Sequence, residues 1–343
     1  MEGQKIRNME EFAEVSGISR PTVSKYFNDP DSVRKSTRGK IEAALEEYDY
    51  RPNIFAINQN RKLTKNIGIV VPNLADPFFA EISRTIERRC LDAGFKPTLY
   101  GSHGDPQLET EILDNLRLLK PAGTLIAPLG RLSDKGFIEA FCRDVPTVLF
   151  DSNLEGLGEA FVGSDNYSFV SQTVDYLSRT GEAPCFFEMK NPANPNANKR
   201  RQAYIDKMHE LGHAPKIVQI DGEGWSFEEI GRAGALKAIQ DKSLPTSTVL
   251  CSNDRLAIGF LSACYEMGLR VGSGDGCALR VASHDDHPYA RFTCPSLTTA
   301  AHDYDSVSSQ SVDTLMSIIE SGGRPSTRNE QLFPAKLILR SSA

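Results

Sequence analysis

Apolar residues recur along the chain in two different rhythms, and the change between them comes near residue 66. Over the first 50 residues they return every three or four positions. Met9, Phe12, Ala13 and Val15 form one set, Gly17 interrupts, and Val23, Tyr26 and Phe27 form a second. A third set starts near Ser36 and runs through Ile41, Ala44, Leu45 and Tyr48. That spacing places each set on one face of a short helix. From 66 onward short apolar runs take over: NIGIVVP, FKPTLY, GTLIAPL, VPTVLFD, APCFFEM, KIVQID, TVLCSND and LRVASHDD. Amphipathic stretches of helical length separate them, the first from about 78 to 93. Such alternation predicts parallel strands joined by crossover helices, hence a doubly wound α/β body. Pro72, Asp151, Asn253 and Asp285 close four of the runs, at the carboxyl ends of strands where open α/β sheets bind ligands. PANPNAN, residues 192–198, is the clearest long loop.

Length adds that one core cannot absorb the chain, since 343 residues exceed a single domain of roughly 100 to 200. No apolar stretch approaches the roughly 18 residues of a membrane span. The opening MEGQKIRNMEEFAEV carries acids where a secretory leader needs a basic end and an apolar run, so a cytoplasmic location is expected. The seven cysteines are scattered without a C-x-x-C pair and read as reduced thiols. Net charge is -6, but it is unevenly spread. Residues 1–65 hold 12 Lys/Arg and 10 Asp/Glu, a balance of +2, and the rest hold 27 and 35, a balance of -8. Arg51, Arg61, Lys62 and Lys65 stand in a stretch without acids. An acidic body with a locally basic head fits a protein whose head alone meets phosphates.

The segment from Met9 to Asn28 meets the needs of a helix-turn-helix: an apolar first helix, Gly17 for the turn, Ser19 to cap the second helix and Pro21 in its first turn. A recognition helix presents its N-terminal residues to base edges in the major groove, which assigns Arg20, Pro21 and Lys25 to bases. Ser19, Thr22, Ser24 and Asn28 suit phosphate oxygens. A plain helical hairpin is the alternative for this pattern alone.

The longer string MEEFAEVSGISRPTVSKYFNDPDSVRKSTRGKIEAALEEYDYRPN closely resembles the headpiece of the LacI/GalR family of repressors. The resemblance continues in Ile67-Gly68-Ile69-Val70-Val71-Pro72, Asp76-Pro77-Phe78-Phe79, Cys251-Ser252-Asn253-Asp254, His284-Asp285-Asp286 and Pro295-Ser296-Leu297-Thr298-Thr299, and so covers almost the whole chain. It implies a headpiece over 1–50, a hinge helix and linker over 51–65, and an effector-binding and dimerisation body over 66–343. That body would resemble a periplasmic sugar-binding protein, with one subdomain from 66–164 and 294–329 and the other from 165–293 and 330–343. The family's hinge helix wedges a leucine into the minor groove, where such wedges kink the duplex. Gln59 stands at that position here, a departure from the pattern, and is assigned a base contact. Asn53 is assigned to phosphate.

For the body, the resemblance implies a cleft lined by Phe78, Phe79, Asp151, Arg200, Trp225, Asn253 and Asp285. Carboxylate, amide and guanidinium groups can fix neighbouring hydroxyls, and aromatic faces cover the C–H side of a sugar ring. The expected function is a sequence-specific repressor controlled by a monosaccharide or sugar derivative, with a purine or other small metabolite as the alternative effector. The expected partners are palindromic operator DNA and a second copy of the chain; no leucine heptads follow the last strand, so a tail-mediated tetramer is not expected. Enzyme signatures are missing: there is no G-x-S-x-G elbow and no G-x-x-x-x-G-K-[ST] loop, and Gly156-Leu157-Gly158 lacks a preceding strand and a third glycine. His284-Asp285-Asp286-His287 with His302-Asp303 has residue types that suit zinc or manganese. Adjacent residues point to different sides of a strand end, however, and neither metal nor cofactor is expected.

Overall fold

The computed structural model of the chain describes residues 6, 8–28, 30–50, 64–193, 195–322 and 325–343. Two compact units divide between Thr64 and Lys65. The first holds helices α1 (Met9–Ser16), α2 (Arg20–Asn28) and α3 (Lys35–Tyr48). Asn8 caps α1, its side-chain oxygen accepting from the backbone N–H groups of Glu10 and Glu11. Gly17 ends α1 at φ +64°, a left-handed conformation that costs a glycine little. The tight reversal turns α2 so that Val23 joins Phe12, Ile41, Ala44 and Tyr50 in a small core. Phe12 lies at its centre, stacked on Tyr50 with ring centroids 4.8 Å apart.

The second unit contains two six-stranded sheets. The strands are β1 (Asn66–Val71), β2 (Lys96–Gly101), β3 (Gly123–Ile126), β4 (Thr147–Phe150), β5 (Ala160–Ser164), β6 (Cys185–Met189), β7 (Ile217–Ile220), β8 (Thr248–Cys251), β9 (Arg280–Asp285), β10 (Thr298–Ala301), β11 (Asn329–Phe333) and β12 (Lys336–Ile338). The first sheet runs β11-β5-β4-β3-β1-β2 and the second β12-β10-β9-β8-β6-β7. Every pairing is parallel except β12 against β10. Central strands β1, β3, β4 and β8 are buried on both faces, as parallel strands covered by helices must be.

Helices α4 (Pro77–Asp92) and α11 (Tyr304–Ser321) cover one face of the first sheet, and α5 (Pro106–Leu118) and α6 (Lys135–Asp144) the other. On the second sheet, α9 (Phe227–Gln240) and α10 (Asp254–Glu266) lie opposite α7 (Asn166–Thr180) and α8 (Ala197–Glu210). The α9–α10 contact depends on two glycines. A β-carbon on Gly259 would stand 2.1 Å from the Glu228 carbonyl oxygen, and one on Gly231 2.4 Å from that of Leu256.

Three connections cross between the sheets: Ser164 to Asn166, Ala301 to Tyr304, and Phe333 to Lys336. The expected boundaries near Thr293 and Glu330 are therefore corrected. Strand β10 pairs with β9 and stays in the second subdomain, and β11 pairs with β5 and stays in the first. Both errors have the same origin, because strand partnership, reaching from Thr298 back to Ala282 in one case and from Asn329 back to Ala160 in the other, leaves no local mark in the sequence.

Two stability predictions follow from this packing. Phe12→Ala removes the centre of a core too small to absorb it, at a cost of about 3–5 kcal/mol, and calorimetry should show the first unit's transition lost while that of the body persists. Gly259→Ala forces a methyl group against backbone and should destabilise the body by about 2 kcal/mol, measurable as a lower urea midpoint.

Candidate functional site

On the first unit, Arg20, Pro21 and Lys25 are exposed at the N-terminal half of α2, while Val23 turns inward. The Ser19 and Thr22 hydroxyls lie 2.8 Å apart, and the Ser19 carbonyl accepts from the backbone N–H groups of Thr22 and Val23. Arg20 approaches Glu10 at 3.8 Å, a loose solvent-exposed pair that leaves the guanidinium available. Ser24 is half-buried on the same helix. The side chain of Asn28, together with Asn53 and Gln59, lies outside the described residues.

On the body, the carboxyl ends of both sheets face a cleft. Phe78, Phe79, Asp151, Arg200, Trp225, Asn253 and Asp285 all line it, and so do Asp76, Phe227, Arg255, His287, His302 and Tyr304. Its free cavity is about 30 Å³, room for about two ordered waters.

Arg200 is the most heavily engaged side chain in the cleft. It projects from α8, is 2% exposed, and donates from Nε to Asn166 Oδ1 at 3.2 Å, from Nη1 to the Ser252 carbonyl at 2.7 Å and from Nη2 to Asp285 Oδ1 at 2.6 Å. His302 Nε2 lies 3.1 Å from the same Asp285 oxygen, and its Nδ1 lies 2.7 Å from the Ser164 hydroxyl. The consistent tautomer carries the proton on Nε2, donating to Asp285, with Nδ1 accepting from Ser164. Tyr304 donates to the Asp285 carbonyl at 3.1 Å.

Asp151 and Asp285 occupy corresponding strand ends, and both adopt positive φ, +58° and +115°. Backbone in these regions is strained and is retained where the surroundings impose it. Their electrostatics diverge. Burial alone would raise the Asp285 carboxyl, but Arg200 and His302 overcome it and hold the group at about 2. Burial raises Asp151 to about 7, against a weaker pull from Arg200 and Lys199 and with Asp285 and Asp76 adding repulsion. Asn196 donates to both the carbonyl and Oδ1 of Asp151, at 3.2 and 3.0 Å.

Asp76 caps α4 by accepting from the Phe78 N–H, and its second oxygen accepts from Arg255 Nη1 across the cleft at 2.9 Å. Arg255 forks onto Glu228 with two 2.7 Å bonds and lies 5.1 Å above the Phe227 ring. Trp225 packs against the cores of both subdomains, edge-on to Phe79 and Phe227. The site of a β-carbon on Gly104 is 2.7 Å from the indole Nε1, so only glycine admits this contact.

Phe79 and Asn253 serve the fold as well as the cleft. Phe79 is 4% exposed within the first core, and Asn253 caps α10 through Leu256 N–H. Among the described residues, no group of three or more His, Cys, Asp or Glu is placed to hold a metal ion, and no helix is long and apolar enough to cross a membrane. Sequence reasoning missed Asp76, Phe227, Arg255 and Tyr304 as lining residues, and considered His287 and His302 only as metal ligands. Two signals were present: Asp76 precedes a proline at a helix start, and Arg255 follows the Asn253 cap by two residues.

Two family profiles match the chain. One, described as bacterial regulatory proteins, lacI family, covers residues 8–53, and one described as periplasmic binding protein-like domain covers 181–343. The chain is 25% identical over 336 residues to the NTD biosynthesis operon regulator of Bacillus subtilis (strain 168), covering 97% of this chain and 99% of that protein. It is 25% identical over 313 residues to the ribose operon repressor of Escherichia coli (strain K12), covering 91% and 92%. The structure of the Lac repressor dimer bound to operator and the anti-inducer ONPF superposes with a TM-score of 0.82 over 99% of each chain, at 24% identity. The chain thus joins a lacI-family DNA-binding headpiece to a periplasmic binding protein-like body, the arrangement of a DNA-binding transcriptional repressor, and resembles operon regulators over its full length.

Proposed function

We propose that a monosaccharide or sugar derivative, held between the two subdomains of the body, sets the affinity of this repressor for its operator. The observation that carries the reading is the cleft itself. Charged and amide groups converge there from both sheets beside Phe78, Phe79 and Trp225, the mixture that orients hydroxyls and covers the apolar face of a sugar ring. Relatives named for a ribose operon and a Lac repressor structure carrying an anti-inducer point the same way. A ligand that prefers the closed cleft shifts the arrangement of the subdomains by its differential affinity. Asp151, Arg200, Asn253 and Asp285 hold its polar groups in this reading.

The DNA assignment places Arg20, Pro21 and Lys25 on base edges and Ser19, Thr22, Ser24, Asn28 and Asn53 on phosphates, with Gln59 in the minor groove. The working unit is a cytoplasmic homodimer on an imperfect palindrome, since one short helix reads too few base pairs. Tyr265, Tyr289 and Phe292 are 84%, 66% and 74% exposed on the second subdomain, large apolar side chains of the kind that contact with a second copy covers.

A thermal-shift screen of sugars tests the effector. A sugar at 100 times its dissociation constant should stabilise the body by about 2.7 kcal/mol and alter operator retention in a mobility-shift assay; a screen in which no sugar does either rejects the reading. Arg20→Ala should weaken operator binding about tenfold to a hundredfold, equivalent to about 1–3 kcal/mol. Equal shifts by wild type and variant would remove Arg20 from the bases.

The raised carboxyl of Asp151 adds a pH signature. Unfolded, the group titrates near 3.8, and folded near 7. Between those values the folded state binds a proton that the unfolded state lacks, so stability falls as pH rises through the window and levels off above it. Asp285 acts oppositely, with stability lost as pH falls from 3.8 toward 2. Asp151→Asn should therefore flatten the decline in the body's melting midpoint between those two Asp151 values, as read by calorimetry.

A further inference from the structure

His287 lies two residues beyond the end of β9, and three contacts fix it. Its backbone N–H donates to Asp254 Oδ2 at 2.8 Å, its ring Nδ1 accepts from the Tyr289 N–H at 3.1 Å, and its ring centroid is 5.2 Å from that of Tyr289. Because Nδ1 is an acceptor, the neutral ring must carry its proton on Nε2. Burial and Arg255 keep the ring below its ordinary basicity, against the opposing pull of Glu228, Asp285 and Asp286. The Nε2 atom is buried and has no hydrogen-bond partner among the described residues, and the ring lines the cleft. A buried donor left unmade is costly, and folds rarely retain one without a use.

The arginine, His302 and Tyr304 donors of the cleft are spent on the protein. Arg200 serves Asn166, Ser252 and Asp285; Arg255 serves Glu228 and Asp76; His302 and Tyr304 both serve Asp285. His284 also has two unpartnered ring nitrogens, but it does not line the cleft, so no ligand contact follows from them.

We propose that His287 is a specificity-determining residue of the effector cleft, whose Nε2–H donates to an oxygen acceptor on the bound sugar, a hydroxyl or ring oxygen. This rests on the sugar-effector reading above and adds a chemical demand to it. A ligand with hydrogen or a methyl group in place of that oxygen leaves the donor buried and unpaired, so it is rejected. Sites built to hydrogen-bond a hydroxyl discriminate strongly against analogues lacking it.

The test uses the full chain. D-ribose, D-glucose, D-galactose, D-fructose, cellobiose and adenosine are screened by thermal shift at about 10 mM, and the sugar that stabilises most becomes the probe for titration by Trp225 fluorescence. His287→Asn keeps an acceptor for the Tyr289 N–H but withdraws the donor from the cleft, whereas His287→Gln returns an N–H near the Nε2 position. Probe affinity should fall about tenfold in His287→Asn and stay within about threefold of wild type in His287→Gln, since one lost hydrogen bond is worth about a factor of ten. Monodeoxy analogues of the probe supply a measurement on the wild-type protein: one of them should bind about tenfold more weakly there and show no further loss in His287→Asn. Unchanged affinity in His287→Asn, equal losses in both variants, or no sensitive deoxy position overturns the proposal while leaving the sugar reading intact. A screen in which no sugar stabilises the chain overturns both.

Discussion

One buried guanidinium organises the carboxyl ends of the second sheet. Arg200 reaches from α8 to the first residue of α7, to the carbonyl just beyond β8 and to the carboxylate that ends β9. Through Asp285 and His302 the chain of contacts continues to Ser164, at the end of β5 in the other subdomain. A cation so deeply placed is tolerated only while its partners remain, because a buried charge left without them costs several kcal/mol. The geometry of the cleft floor and of two of the three crossings is therefore specified together. The cost of that arrangement is visible in the backbone, where Asp285 adopts an unfavourable φ to bring its carboxylate to Arg200.

The same knot explains why two aspartates at corresponding strand ends behave as different chemical groups. Asp285 has a guanidinium and an imidazole N–H within hydrogen-bond reach and stays ionised. Asp151 has an amide for its nearest donor, lies within the field of two other carboxylates, and among the described residues has no cation in direct contact. One side of the cleft is thus a fixed anion compensated by the protein, and the other a carboxyl close to its titration point. Environment, rather than residue type, sets the role.

The alternation of strands and helices was legible in the sequence because parallel strands covered on both faces must be continuously apolar, as NIGIVV and TVLF are. All seven expected cleft residues also fall together, since strand ends and helix caps are local features that the chain writes in short motifs. What escaped was non-local. Nothing near Thr298 announces that it will pair with Ala282, and nothing near Asn329 announces Ala160, so the second and third crossings were misplaced. Arg255 and His287 escaped for a related reason. Each owes its position to a partner far along the chain, Asp76 for one and Asp254 for the other.

The three crossings share one end of the first sheet, beside the carboxyl ends of β5 and β11. Two of them are tied through Arg200, Asp285 and His302, which makes that end of the sheet the natural fulcrum for any rotation of one subdomain on the other. Rotation makes the first sheet a lever. The amino end of β1, where the body's chain begins at Lys65, lies at the opposite end, a strand length of about 20 Å away. A turn of about ten degrees would carry that point roughly 3 Å, several times the shift at the fulcrum. Mechanical advantage is thus built in, and a small adjustment beside a ligand emerges as a large one at the chain's entry to the body.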